Sequence, residues 1–305
     1  MSDKSRQLSL GWRLLGVAAF VGLVGAILWQ LRGAASDAMT MIVRLPPLVW
    51  PALVLLYMVQ PLCEFVVFRR LWNMPVAGFE ALLRKNVINE VVLGYSGEAY
   101  LYVWARRAAG AVVAPFQAIK DVNILSALLG NLLTVALALV SATHLRDLEL
   151  DKRLGPALWS GLIPVAISLG LLVFGRRVFS LPRDQLVFVG AVHAFRLIVV
   201  TGLTVLIWWM ALPQVAISLW IVFLTIRYLV SRIPFISNKE LVFGNLMLLV
   251  LGPHAPVAVL LAALALITLF LHLAVIVGLG ALGLARGVWR ARGEIAPVAA
   301  EAVHD

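Results

Sequence analysis

Asn89–Arg107 reads NEVVLGYSGEAYLYVWARR. Two glutamates, Glu90 and Glu98, flank a Gly-Tyr-Ser-Gly break, and a pair of arginines closes the stretch. Long apolar runs lie on both sides of it. The break at Gly94–Gly97 ends one helix and starts another near Ser96. Backbone that is apolar enough to enter a bilayer, yet broken in this way, must be buried in protein or line a polar cavity. Hydrocarbon offers no partner for its N–H and C=O groups.

Composition sets the solvent. The chain has 305 residues, 62% hydrophobic and 13% charged, with mean hydropathy +0.99. A water-soluble domain cannot hide that much apolar surface, so the chain reads as an integral membrane protein. Lys and Arg outnumber Asp and Glu by 25 to 15, a net charge of +10. In this setting the excess reads as loops facing anionic lipid rather than a nucleic-acid surface. Cys63 is the single cysteine, which excludes a disulfide framework and a cysteine-based metal site. No HExxH, GxSxG, phosphate-binding loop or dinucleotide fingerprint occurs, and no cofactor is expected. GYSGE at Gly94–Glu98 lacks the strand-turn-helix setting of a nucleophile elbow.

Six segments are long enough to span a ~30 Å hydrocarbon core. They are Leu14–Leu31, Leu48–Phe68, Val122–Ser141, Leu158–Phe174, Leu186–Ala211 and Pro256–Leu284. The first follows Lys4, Arg6 and Arg13 and precedes GAAS, so a cleaved signal peptide is the alternative. Its length favours a retained helix. Tryptophans near the span ends, among them Trp50, Trp72, Trp208 and Trp209, suggest an interfacial belt. Arg69–Arg70, Arg176–Arg177, Arg183 and Arg286 fall on one side of the spans and predict both termini in the cytoplasm.

Residues 73–119 and 213–252 do not fit single spans. The six-span topology requires each to begin and end on one side, the first inside and the second outside. Each is therefore expected to form a broken, re-entrant helical hairpin. Residues 1–142 and 157–284 then repeat the order span, span, hairpin, span with inverted topology, followed by a cytoplasmic tail at 285–305. The expected fold is thus one all-α polytopic membrane domain built from inverted-topology repeats. Paired interrupted segments in matching positions point to a substrate site.

The hairpins share a polar grammar. RKNVINEVVLGYSGEAY supplies Arg84, Glu90, Ser96 and Glu98, and RYLVSRIPFISNKELVF supplies Arg227, Arg232, Ser237, Lys239 and Glu240. Aligned end to end, Arg84 matches Arg227 and Glu98 matches Glu240. Unpaired N–H groups at each helix start can hold an anionic headgroup. The arginines can add bidentate phosphate contacts. The glutamates can cap the helix starts, balance the arginines or carry protons. Arg196 lies one turn from His193 inside the fifth span and joins the candidate substrate site. Glu64 in the second span is a further partner for an arginine, and His272 reads as a packed polar residue.

The pattern resembles the flippase-like membrane domain of lysylphosphatidylglycerol synthases. The resemblance covers nearly the whole chain and rests on VVFRRLW (Val66–Trp72), GYSGEAYLYVWARR (Gly94–Arg107) and RIPFISNKELVFGNL (Arg232–Leu246). Gly97 and Glu98 match the family's Gly-Glu, but Leu93–Ser96 replaces its Pro-Gly-Arg-type turn and Leu101 stands where an arginine is expected. Pro234, Ser237 and Glu240 fit the second hairpin, without the family's glycines. The resemblance implies a bacterial inner-membrane protein that translocates an anionic phospholipid or lipid-linked headgroup. No synthetase domain is expected to accompany it, and no ATP-binding motif is present, so movement is expected to be passive or ion-coupled. Alternatives are a membrane-embedded transferase with Glu98 or Glu240 as base, and an accessory subunit of a lipid-synthesis complex. Expected partners are a lipid substrate, the membrane, and a lipid-synthesis enzyme or a second copy of the chain, with no nucleic acid.

Overall fold

The computed structural model describes residues 29, 35–92, 94–108, 115–147, 179–233 and 238–301. These contain nine helices and no strand: α1 (Ala35–Val43), α2 (Val49–Trp72), α3 (Ala77–Val91), α4 (Ser96–Ala108), α5 (Pro115–Asp147), α6 (Arg183–Ala211), α7 (Ile217–Ser231), α8 (Lys239–Leu251) and α9 (Pro256–Glu301). Four carry stretches long and apolar enough to cross a membrane: Val49–Trp72, Phe116–Thr143, Arg183–Ala211 and Pro256–Gly283. The chain is a helical, multi-pass membrane protein. Four of the six expected spans correspond to these helices. Leu14–Leu31 and Leu158–Phe174 lie outside the described residues. Helix α9 continues past its span through most of the expected tail.

Residues 73–119 and 213–252 break as their glycines, prolines and polar residues require. Each becomes two short helices, α3–α4 and α7–α8, packed on each other. Helix α2 ends at Asn73, whose left-handed backbone (φ 59°) returns its N–H to Arg69 O at 3.0 Å. Pro75 follows and cannot continue the helix.

Two apolar cores hold the helices. One joins α1, the start of α2, the end of α6, and α7, α8 and α9, with Trp208, Trp220 and Phe243 packed together. The other joins the end of α2 (Val67, Phe68, Trp72) to α3, α4, the start of α5 and the start of α6 (Val189). Helices α2 and α6 therefore run antiparallel, each giving one end to each core. Two of the expected belt tryptophans belong to these cores instead. Trp72 is 9% exposed and stacks on Phe68 at 4.5 Å, and Trp208 is 4% exposed. Trp50 and Trp209 remain exposed. The large aromatic area buried inside outweighs an interfacial role for the first two. Leu55, Val66, Val187, Ile198, Leu249 and Phe270 form outward faces that are themselves apolar, as lipid requires.

Candidate functional site

Between the two cores the middle of α2 and the middle of α6 turn polar. Tyr57, Gln60 and Glu64 on α2 face His193 and Arg196 on α6 across a cavity of about 460 Å³. The hairpin breaks reach the same cavity from two sides. Glu90 O at the end of α3 accepts from Asn238 N (2.9 Å) and Asn238 Nδ2 (2.6 Å) at the start of α8. The Glu90 carboxylate faces the Lys239 N–H. Two non-glycine residues in the left-handed region mark these breaks, Tyr95 (φ 71°) and Asn238 (φ 51°). Asparagine tolerates that conformation, whereas for tyrosine it is strained by roughly 1–2 kcal/mol.

Each break is bridged by an ion pair. Arg227 on α7 holds Glu240 on α8 in a two-pronged contact, Nε to Oε2 at 3.0 Å and Nη2 to Oε1 at 2.5 Å. Lys85 on α3 lies 3.4 Å from Glu98 on α4. Lys85 Nζ also donates to Glu64 Oε1 at 2.6 Å, and Gln60 Nε2 donates to the same oxygen at 2.5 Å. Gln60 Oε1 in turn accepts from Arg196 Nη1, and Arg196 Nη2 donates to Ser126 Oγ at 3.0 Å. One network thus ties α2, α3, α4, α5 and α6 together.

The cavity lining holds five Lys or Arg side chains and four glutamates. Lys85 and Arg227 are paired with carboxylates. Arg196, Arg232 and Lys239 have no carboxylate within ion-pair distance among the described residues. Among the described residues, Arg196 is 8% exposed and hydrogen-bonds only to neutral groups. Arg232 lies against Gly130 of α5, and its Nε is buried without a hydrogen-bond partner among the described residues. Lys239 donates to Ser231 O at 2.7 Å.

Seven of the ten expected site residues line this cavity: Glu90, Glu98, Arg196, Arg227, Arg232, Lys239 and Glu240. Arg84 does not. Its guanidinium turns to Glu80 (2.8 Å) and to Leu279 O on α9 (3.1 Å), and it is Lys85, one residue on, that lines the cavity and pairs with a glutamate on the next helix, as Arg227 does. Adjacent helix residues differ in direction by roughly 100°, so neighbours on α3 meet different surroundings. Ser96 is absent from the lining and donates to Ile88 O at 3.4 Å. Ser237 lies outside the described residues.

Helix-start capping at α4 falls to Asn89, whose Oδ1 accepts the Gly97 N–H at 2.7 Å, while Glu98 takes Lys85 and the Asn89 amide. Glu64 is held by a lysine rather than the expected arginine. His272 is bonded to Tyr57 at 3.0 Å and also faces the cavity.

Sequence reading missed Tyr57, Gln60, Asn123 and Ser126, because single neutral polar residues are ordinary in a span. It quoted Lys85 without placing it in the site. The separation of 13 residues between Arg227 and Glu240, repeated between Lys85 and Glu98, was the available signal.

Searches against family models, curated proteins and solved structures find no match to this chain.

Proposed function

We propose that this protein moves a lipid with an anionic headgroup between leaflets, the headgroup passing through the central cavity while the acyl chains stay in the bilayer. One observation carries the reading. Three cations, Arg196, Arg232 and Lys239, converge on a cavity between apolar cores with no carboxylate in ion-pair contact among the described residues, and the lining, with five cations to four glutamates, keeps an excess of one positive charge. A charged residue inside a membrane costs about 3 kcal/mol or more, so cations held outside ion pairs mark a ligand path. A phosphate would bind two guanidiniums and an ammonium in charge-assisted hydrogen bonds.

The inverted-repeat architecture proposed from sequence gains support from the packing. One constant shift of residue number carries Lys85 to Arg227, Asn89 to Ser231, Glu90 to Arg232, Glu98 to Glu240, Asn123 to Ala265 and Ser126 to Thr268, and all twelve line the cavity. Helix pairings recur in the same way: α5 with α7 and α9 with α3, α4 with α5 and α8 with α9. Helix α3 leaves the core that α4 rejoins, α7 and α8 both belong to the opposite core, and the breaks meet between them. This is the arrangement expected of hairpins re-entering from opposite faces. Arg69, Arg70, Arg106, Arg107 and Arg183 gather at the α3–α4 end, which we take as the cytoplasmic end of an inner-membrane protein. The flippase-like relationship is proposed on the same grounds.

A transferase reading is less well served. Both candidate bases, Glu98 and Glu240, are engaged by cations.

The test is reconstitution in phosphatidylcholine vesicles with tail-labelled phosphatidylglycerol and reduction of the outer label. Wild-type protein should accelerate exchange over protein-free vesicles. Arg196→Ala and Arg232→Ala should slow it by roughly ten- to a hundredfold, the equivalent of one charge-assisted hydrogen bond. Arg→Lys should restore part of the rate. Exchange no faster than in empty vesicles would reject the reading.

A further inference from the structure

Glu64, Lys85 and Glu98 meet where α2, α3 and α4 close one wall of the cavity. Lys85 Nζ lies 2.6 Å from Glu64 Oε1 and 3.4 Å from Glu98 Oε1, so a single ammonium serves two carboxylates. The side chains of Lys85 and Glu64 are each 4% exposed. The second oxygens, Glu64 Oε2 and Glu98 Oε2, are buried and have no hydrogen-bond partner among the described residues. A stranded carboxylate oxygen of this kind is costly, and a proton placed on it removes the charge.

The surroundings decide when that happens. Arg196 on α6 reaches Glu64 through Gln60. His193 on the same helix is 1% exposed, with both ring nitrogens unpartnered among the described residues. Tyr57 and Cys63 share α2 with Glu64, and Tyr57 is bonded to His272 of α9. Across the cavity stand Glu90, Arg232 and Lys239, with Arg227 and Glu240 closed on each other. Without a ligand, Lys85 and Arg196 offset the two glutamates. An anionic headgroup that engages Arg196 and Arg232 removes half of this balance. Two carboxylates then share one ammonium, and a single added proton restores the charge count. The linkage is reciprocal: the bound anion tightens proton binding, and the bound proton tightens anion binding.

We infer that the Glu64–Lys85–Glu98 cluster is a proton site, with Glu64 Oε2 as the acceptor, and that its proton crosses the membrane together with the anionic headgroup. The proton comes from water on one side, resides on the carboxylate and returns to water on the other side. No bond to the lipid is made or broken. The co-movement rests on the transport reading; the proton site does not.

Two measurements test it separately. Infrared pH titration of the protein in phosphatidylcholine bilayers should show a buried carboxylic-acid carbonyl band that grows as pH falls. The band should lose intensity in Glu64→Gln, regain it in Glu64→Asp and keep it in Glu240→Gln. A band unchanged in both Glu64→Gln and Glu98→Gln overturns the proton site. In proteoliposomes with labelled phosphatidylglycerol and a one-unit pH gradient, wild-type protein should enrich the probe in the leaflet facing the alkaline side. One coupled proton supports an enrichment of up to about tenfold. Glu64→Gln should leave the leaflets even. Rapid wild-type exchange that stays even under the gradient, or enrichment on the acid side, overturns the co-movement. No exchange in any sample rejects the transport reading and the co-movement with it, while the infrared band still decides the proton site.

Discussion

Lys85 and Arg84 are neighbours with opposite fates. Lys85 is enclosed between two glutamates, whereas the Arg84 side chain is 38% exposed and paired with Glu80 one helical turn away. Breaking a buried pair strands charge at a cost of roughly 3–5 kcal/mol. An exposed helix pair contributes about 0–1 kcal/mol. Lys85→Ala should therefore lower the thermal unfolding midpoint in detergent sharply, and Arg84→Ala should leave it close to wild type. Equal effects would contradict the placement of the two side chains. Gly97 makes a second residue-scale case. A Cβ there would stand 2.2 Å from Lys85 O and 2.7 Å from Asn89 Oδ1, and the first of these is backbone that cannot swing away. Gly97→Ala should destabilise by roughly 1–3 kcal/mol. Gly202 has nothing within 4 Å of the same position, and Gly202→Ala should stay within about 0.5 kcal/mol of wild type in the same melting assay.

At the scale of elements, the breaks matter more than the helices they interrupt. Each hairpin carries a cation on its first helix and a glutamate at the start of its second, and the pair fixes the angle of the break. The tips are joined by the two Asn238 bonds to Glu90 O, so neither break is positioned alone. A different device sets α5 against α6. Asp121 is fully buried, and its Oδ2 accepts the N–H groups of Ser180 (2.6 Å) and Leu181 (2.7 Å), just before α6 begins. Lys120 beside it donates to Ser180 Oγ at 3.1 Å. Asp121→Ala would strand two donors at roughly 1–3 kcal/mol each. Its melting midpoint should fall accordingly, and hydrogen exchange at Ser180 and Leu181 should accelerate. Asp121→Asn, which keeps an acceptor, should recover part of the protection. Unchanged exchange at both amides in Asp121→Ala would reject the latch.

On the scale of the whole molecule, two apolar cores are separated by a layer of charge. The proposed topology puts the core at the α3–α4 end towards the cytoplasm and the core at the α7–α8 end outside. In a Cys63→Ser background, Val76→Cys and Gln214→Cys place exposed thiols at the two ends. An impermeant maleimide should reach Val76→Cys only from the cytoplasmic face and Gln214→Cys only from the outer face. Labelling of both from one face would reject the inverted arrangement and leave the cavity to be explained in another way.

The solvent, the helical class and the four described spans were legible in the sequence, because each follows from apolar length along a single helix. The sequence also marked the hairpin breaks, since glycine, proline and serine act locally, and it drew most of the cavity's charges from their rarity in lipid-soluble runs. It did not determine the partners. Glu64 sits on α2, Lys85 on α3 and Glu98 on α4, and nothing local says that three separate helices share one ion cluster. Nor could it separate Lys85 from Arg84, or find that Trp72 and Trp208 pack inward, because both depend on which face of a helix another helix covers. Only tertiary packing decided which cations lost their carboxylates. Arg196, Arg232 and Lys239 are left outside ion pairs because the carboxylates of Glu64, Glu98 and Glu240 are held by Lys85 and Arg227, while that of Glu90 turns to the backbone N–H of Lys239.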